Sequence, residues 1–230
     1  MAQETALIVG AGSGLSASLA RLFAKEGMAV ALAGRSPDKL SGLVAETGAR
    51  AYRCDAADPA SVEALFAAVD KDLGAPDVVV FNPSARVRGP VQDLDPAAVR
   101  DALMVTCYGG FLVAQQATRR MLANGQGTLL FTGASAAVKG YPNSSSFAMG
   151  KFGLRGLCQS LARELAPKGI HVAHFVIDGG IAGPRYSDAS RGPDAFLEPD
   201  AIAESYLHVL RQHRSAWTWE IELRPWVENF

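Results

Sequence analysis

Residues 5–27, TALIVGAGSGLSASLARLFAKEG, run from an apolar β-branched stretch through a glycine-rich turn into a helical pattern without a break. Gly10, Gly12 and Gly14 fall between strand and helix, where missing side chains let backbone N–H groups and the helix N-terminus come close to a pyrophosphate. A tight strand-to-helix turn wants glycine for its own reasons, so the turn draws its meaning from its place in the first βαβ unit. The spacing is not GxGxxG, because position 15 is leucine. It is GxxxGxG, with Gly10, Gly14 and, in the last place, Ser16.

Outward from this turn the pattern repeats. The runs TALIVG, MAVALAG, ARAYRC, DVVVFN, GTLLFTG, IHVAHFVI and WTWEIEL are almost continuously apolar, as strands covered on both faces are. Helical stretches separate them, opened at Ser36-Pro37, Asp58-Pro59, Asp95-Pro96 and Glu198-Pro199, where Ser36, Asp58 and Asp95 are expected to cap. Asn124-Gly125 closes one helix, and Pro167 with Gly169 closes another. The alternation predicts a single α/β domain over residues 1–230: a doubly wound, Rossmann-type parallel sheet of about seven strands with helices on both faces. Residues 177–199, rich in Gly, Pro, Ser and Asp, read as a long loop and a lid, and 217–230 as a final strand and tail.

Composition limits the function. A formal charge of −1, with Lys and Arg scattered, leaves no footprint for nucleic acid or an anionic membrane. Cys54, Cys107 and Cys158 stand far apart, so neither a disulfide framework nor a metal knuckle is expected, and a reducing cytoplasm fits. No histidine pairs with Asp, Glu or Cys at metal-ligand spacing, so no metal is expected. The start carries Glu4 and no positive segment, and no apolar run reaches the roughly 18 residues of a span, so a soluble, unprocessed protein is expected.

The GxxxGxG spacing resembles that of the short-chain dehydrogenase/reductase family, and the resemblance runs over most of the chain. It implies a nicotinamide dinucleotide lying against Gly10, Ser13, Gly14 and Leu15. In LAGRS, Gly34 stands where an NAD-preferring member carries an acid, and Arg35 follows it. An acid would bind the ribose 2′-hydroxyl and repel a 2′-phosphate, whereas a guanidinium attracts one, so NADP(H) is expected over NAD(H). CDAAD matches the adenine-contacting segment and places Asp55 and Ala56 beside the base. FNPSA stands where the family has NNAG, keeping Asn82 but not the next two residues. IDGGI resembles the PG segment and places Ile181 near the nicotinamide carboxamide.

The family uses Asn, Ser, Tyr and Lys together, with Tyr as acid or base and Lys four residues later. Here SSSFAMGKFGLRG, residues 144–156, puts Phe147 in the Tyr position, with Lys151 retained and expected to share its outward face. The family's spacing puts Ala134 in the Ser position and Thr106 in the Asn position. Lys151 is therefore expected to bind the ribose first and to serve proton chemistry second. Ser135, Tyr141, Ser146 and Lys151 itself are the candidate proton donors.

The leading reading is an atypical NADP(H)-dependent reductase of unknown small-molecule substrate. A non-catalytic NADP(H)-binding protein, acting as a sensor or assembly component, is the alternative. A serine hydrolase using Ser135 of GASAA is a remote one, since a nucleophile elbow needs a strand-to-helix turn and AAVKGYPN reads as loop. Gly150, Gly153 and Gly156 recur at three-residue spacing, so close backbone approach between helices is expected, and the resemblance implies a homodimer or homotetramer.

Overall fold

The computed structural model describes residues 3–184, 186–187 and 191–228. The strands are β1 (Thr5–Val9), β2 (Ala29–Gly34), β3 (Arg50–Arg53), β4 (Val78–Phe81), β5 (Gly127–Thr132), β6 (Ile170–Ile177) and β7 (Glu220–Leu223). They form one seven-stranded sheet in the order β3-β2-β1-β4-β5-β6-β7, and every neighbouring pair is parallel. The chain winds outward from β1 to β3, returns past β1 to β4 and winds the other way. The reversal between β1 and β4 is where an open α/β sheet leaves a crevice at its carboxyl edge.

Two apolar layers hold the sheet. Leu7 and Val9 join Phe66, Phe81, Val113 and Leu154 on one face, whereas Ala6 and Ile8 join Leu19, Phe23, Phe175 and Tyr206 on the other. This alternation along β1 is the two-residue period of a strand. Helices α3 (Pro59–Leu73), α5 (Gly109–Asn124) and α6 (Ser145–Leu165) cover the first face. Helices α1 (Leu15–Lys25), α2 (Ser41–Thr47) and α7 (Pro199–Leu210) cover the second. Helix α4 (Pro96–Leu103) continues into α5 through a π-helical turn, Met104–Tyr108. Together they are long enough to cross a bilayer, but the Leu112, Val113, Ala117 and Met121 face is buried in the core.

Asp58 accepts from Ala60 N at 3.1 Å, and Asp95 accepts from Ala97 N at 3.0 Å and Ala98 N at 3.3 Å. Both aspartates cap as their Asp-Pro pairs predict. Ser36 does not: it opens a short 3₁₀ turn, Pro37–Leu40, without a side-chain bond. Pro37 offers no N–H, and Lys39 N is already bonded to the carbonyl of Ser36 at 3.2 Å, so the hydroxyl has little left to cap. Replacing Asp95 by Ala is expected to lower stability by about 1 kcal/mol, read as a lower urea midpoint at unchanged m-value.

Two of the three glycines of α6 make a close approach of the kind their spacing predicts. A Cβ on Gly150 would lie 3.1 Å from Thr106 Cβ, and one on Gly153 would lie 2.7 Å from Cys107 Sγ. Their close approach is made within the chain, against the π turn, while Gly156 faces open space.

The last strand is also shorter than WTWEIEL predicts. Trp217 stacks on His171 at 4.7 Å instead of extending β7. The loop after β6 is pinned at its neck, since Ala182 N donates to Leu197 O at 2.8 Å and Leu197 N to Gly180 O at 2.9 Å. Of the 177–199 lid, Arg185 and residues 188–190 lie outside the described residues, as do residues 229–230 of the tail.

Candidate active site

The carboxyl ends of β1, β2 and β4 enclose a cavity of about 310 Å³ lined by Gly10, Arg35, Asp55, Ala56 and Asn82 among others. Gly10 has φ +85°, and a Cβ there would come within 2.7 Å of Pro83 N, so both conformation and space demand glycine. Among the described residues nothing lies within 4 Å of a Cβ built on Gly12 or Gly14. Helix α1 starts at this open edge with no side-chain cap, which leaves N–H groups of its first turn for an anion. Ser16, the residue in the last place of GxxxGxG, is buried. Its hydroxyl donates to Gly10 O at 3.1 Å and accepts from Asn82 Nδ2 at 2.7 Å, tying the β1 turn to the end of β4. Leu15 is buried behind the turn.

Arg35 sits exposed at the rim and makes no ion pair among the described residues. It also lines a neighbouring cavity of about 580 Å³ with Tyr52, Arg53 and Asp58. Arg53 is a second cation that the sequence pattern did not single out. Asp55 Oδ1 accepts from Ala57 N at 3.0 Å, and Asp55 N donates to Ser61 Oγ at 2.9 Å, fixing the turn after β3.

Across the crevice, α6 carries Phe147 and Lys151. They share a face, but that face points inward: both side chains are buried, the opposite of the outward face expected from their spacing. Small neighbours let α6 sit close to the π turn, which draws this face into the fold. Lys151 Nζ donates to Thr132 O, at the end of β5, at 2.6 Å and lies 5.9 Å from the Phe147 ring centroid. Burial pulls the Lys151 pKa down to about 8, partly offset by an upward pull from Cys158, with the Arg86 charge a smaller downward contribution to the same value. Ala134 follows β5 in extended conformation, φ −163°, and opens the 3₁₀ turn Ser135–Ala137.

The sequence profile of the short chain dehydrogenase family matches residues 4–185. The chain belongs to the short-chain dehydrogenase/reductase family. It is 32% identical over 218 residues to the cis-4-hydroxycyclohexanecarboxylate dehydrogenase of Sinomonas cyclohexanicum, covering 89% of this chain and 88% of that one. It is 27% identical over 214 residues to the sorbitol-6-phosphate 2-dehydrogenase of Escherichia coli, covering 89% and 83%. Among solved structures, a short-chain dehydrogenase from Rhodopseudomonas palustris superposes with a TM-score of 0.84 at 37% identity, over 97% of this chain and 99% of that one. An actinorhodin polyketide ketoreductase variant, solved with NADPH, superposes with a TM-score of 0.90 at 26% identity over the whole of both chains.

Within this short-chain dehydrogenase/reductase site several hydroxyls have other partners. Thr106 Oγ1, in the π turn, accepts from Ala85 N at 2.9 Å and donates to Ala85 O at 3.2 Å. Ser146 Oγ accepts from Val87 N and donates to Val87 O, both at 2.9 Å. Ser146 is therefore corrected from candidate proton donor to loop anchor, because its single proton is held by a backbone carbonyl. Ser135 helps to lower the pKa of the Asp178 carboxylate, which meets Lys139 Nζ at 2.9 Å and Arg224 Nη2 at 2.9 Å. Burial works to raise the Asp178 pKa, but these three partners outweigh it and hold the group ionised below the usual range. A serine that opens a short 3₁₀ turn, with no helix following directly, is not a nucleophile elbow. Tyr141 is exposed on the loop before α6. Ile181 bridges to Leu197 in the loop neck.

Sequence reasoning also missed Arg86. It lies on the loop after β4, and its guanidinium carbon sits 4.1 Å from the Phe147 ring centroid. The arginines of SARVRG, Arg86 and Arg88, carry no spacing signal, so only the fold brings Arg86 to the site.

Proposed function

We propose that the chain is an NADP(H)-dependent carbonyl reductase in which Lys151, not a tyrosine, supplies the proton. The observation that carries this reading is Lys151 itself: a lysine buried without an ion pair among the described residues, at the carboxyl edge of β5. Burying an ammonium without a counter-charge is costly, and a site that binds a ribose and moves a proton gives that cost a use.

The cradle fits the cofactor. The uncapped α1 terminus with open space over Gly12 and Gly14 would take the pyrophosphate, Asp55 and Ala56 the adenine, and Ser13, Gly14 and Leu15 the adjoining backbone contacts. Arg35, with Arg53 beside it, would take the 2′-phosphate, and Asn82 and Ile181 would border the nicotinamide half. A nicotinamide bound there would supply a hydride to the carbonyl carbon. Lys151 holds the ribose hydroxyls and gives its proton to the carbonyl oxygen, directly or through one water standing where a phenol oxygen would be. A pKa near 8 keeps the ammonium protonated at neutral pH yet willing to release its proton.

The substrate class supported best is a small cyclic or acyclic carbonyl compound. The Sinomonas relative, named for a hydroxycyclohexanecarboxylate, supports this class, and the ketoreductase solved with NADPH supports the cofactor. The rival reading, cofactor binding without turnover, draws on Phe147 and Ala134, neither of which offers a polar side-chain atom. A homodimer or homotetramer belongs to the same proposal. Tyr108, Phe111 and Leu122 on or beside α5, and Met149 and Phe152 on α6, are large apolar side chains left exposed.

The test is fluorescence titration with NADPH and NADH, followed by assay of 4-oxocyclohexanecarboxylate and cyclohexanone. NADPH is expected to bind more tightly than NADH. Arg35→Ala is expected to weaken NADPH about 10- to 100-fold, the worth of one charge-assisted contact, and to leave NADH nearly unchanged. Equal affinity of the parent for the two cofactors contradicts the preference. Binding with no reduction of any carbonyl supports the rival.

A further inference from the structure

We infer that His174 is a positioning residue for Lys151. Backed by Glu220, its Nε2 lone pair accepts a hydrogen bond from the Lys151 ammonium, directly or through one water, and so keeps that ammonium charged and in place. This inference rests on the reading of Lys151 as proton donor given above.

Three observations carry it. The first is an unspent acceptor. His174, on β6, is 0% exposed, and among the described residues its Nε2 has no hydrogen-bond partner. Its other nitrogen, Nδ1, lies 3.0 Å from Glu220 Oε2 on β7, a contact that follows from the parallel register pairing the two residues. Arg155 of α6 holds the same carboxylate, through Nε at 2.6 Å and Nη2 at 2.7 Å. Burial works to raise the Glu220 pKa, but Arg155 and His174 outweigh it and keep the group ionised. Burial pushes the His174 pKa down to about 4 against the pull of Glu220, so the ring is neutral at pH 7. An ionised carboxylate only accepts, so Nδ1 carries the ring proton and Nε2 is a bare acceptor. Leaving such an acceptor unmet in the interior is costly.

The second is place. Val172 belongs with Leu154 and Cys158 to the apolar layer under α6, and the two-residue period of a strand puts His174 on that same face. A Cβ on Gly133 would lie 2.4 Å from His174 Nε2, so the missing side chain is what lets the ring reach the end of β5. Lys151 Nζ reaches the same peptide from α6, donating at 2.6 Å to Thr132 O, the carbonyl bonded to Gly133 N. Bond lengths then keep Nζ and Nε2 within roughly 9 Å of each other at most.

The third is need. An ammonium carries three N–H donors, and Thr132 O takes one. The titratable and charged groups around Lys151 are Arg86 from the loop after β4, Cys158 on its own helix, and His174 with Glu220 behind it from β6 and β7. Arg86 repels the ammonium, and burial holds the Cys158 thiol protonated. Of these groups His174 alone turns a free lone pair toward it. A second acceptor on the strand side fixes Nζ and leaves its last N–H for the reacting oxygen.

The experiment has two arms, with every variant checked by thermal melting. One follows the His174 ring nitrogens and the Lys151 side chain by NMR, in protein labelled on histidine and lysine, from about pH 6 to 10. In the parent His174 should stay neutral with its proton on Nδ1. Its Nε2 resonance should move as Lys151 titrates near 8, and that movement should vanish in Lys151→Met. In His174→Phe, and to a smaller extent in Glu220→Gln, Lys151 should lose its proton about one pH unit lower. His174→Gln, whose amide can donate to Glu220 and accept from Lys151, should restore the parent value.

The other arm measures NADPH-dependent reduction of 4-oxocyclohexanecarboxylate over the same range. The falling limb of the rate should shift down with the Lys151 titration, giving His174→Phe about a 10-fold loss at pH 9 and a rate near the parent's at pH 6. A merely structural role would lower the rate at every pH and leave the limb in place, which overturns the inference. So does an Nε2 resonance that ignores Lys151, or a Lys151 titration unmoved in both His174→Phe and Glu220→Gln. If the parent binds NADPH but reduces no ketone, the reductase reading fails, and the NMR titrations alone decide whether His174 holds Lys151.

Discussion

Changing Ala134 to Ser and Phe147 to Tyr together is expected to raise NADPH-dependent ketone reduction by about 10²- to 10⁴-fold over the parent, the usual worth of a positioned general acid. The two changes restore one hydroxyl at the end of β5 and one on α6, beside a lysine whose ammonium is already in place. Either change alone is expected to recover little, because both hydroxyls hold one oxygen and act as a unit. Arg86 adds a condition. Its guanidinium rests on the ring at position 147, so a new phenol there ionises beside two cations and should act at lower pH than an ordinary tyrosine. The measurement is a pH-rate profile on a panel of small and bulky ketones. A double variant that gains nothing on any of them would show that the oxygens cannot meet a substrate from these positions.

The second large effect concerns Lys151→Met, which is expected to stabilise the cofactor-free protein while weakening its hold on NADPH. In the unfolded chain lysine keeps its proton to about pH 10.5, but folded Lys151 keeps it only to about 8. Between these values the unfolded state binds more protons, so the parent gains stability as pH rises from about 8 to 10.5 and carries the full cost of a buried charge below 8. That cost is on the order of 3 kcal/mol at neutral pH, against about 1 kcal/mol for the lost bond to Thr132 O. At pH 7 the variant should therefore melt about 4–8 °C higher, and its advantage should vanish near pH 10.5. NADPH should bind about 10-fold or more weakly, because the ribose hydroxyls lose a charged donor. A variant that melts lower than the parent at pH 7 would contradict the unpaired, buried ammonium.

These effects also mark what could be read before the fold was known. The sheet was legible because its strands are short, nearly continuous apolar runs, and because Asp58-Pro59 and Asp95-Pro96 announce helix starts through chemistry that needs no tertiary context. Trp217 reads as strand in the sequence because periodicity cannot separate a tryptophan in a sheet from one lying flat on His171. The glycine spacing on α6 was visible but its partner was not, because nothing in MVTCY announces a π turn. On the site, Gly10, Arg35, Asp55, Ala56 and Asn82 line one cavity. Arg86 and the Asp178 cluster were out of reach. Their meaning lies in which side chains the loops after β4, β5 and β6 bring together, and those loops have no period to read.

The central claim, that a buried lysine does the work of the missing tyrosine, is tested most directly by one comparison. NADPH-dependent reduction of 4-oxocyclohexanecarboxylate should be followed from about pH 6 to 10 in the parent, Lys151→Met, Tyr141→Phe and Ser135→Ala. The account predicts a slow parent rate that falls as pH rises through about 8, a loss of about 10² to 10⁴ in the lysine variant, and little change in the other two. A brisk parent rate that survives Lys151→Met with its pH profile unchanged would contradict it.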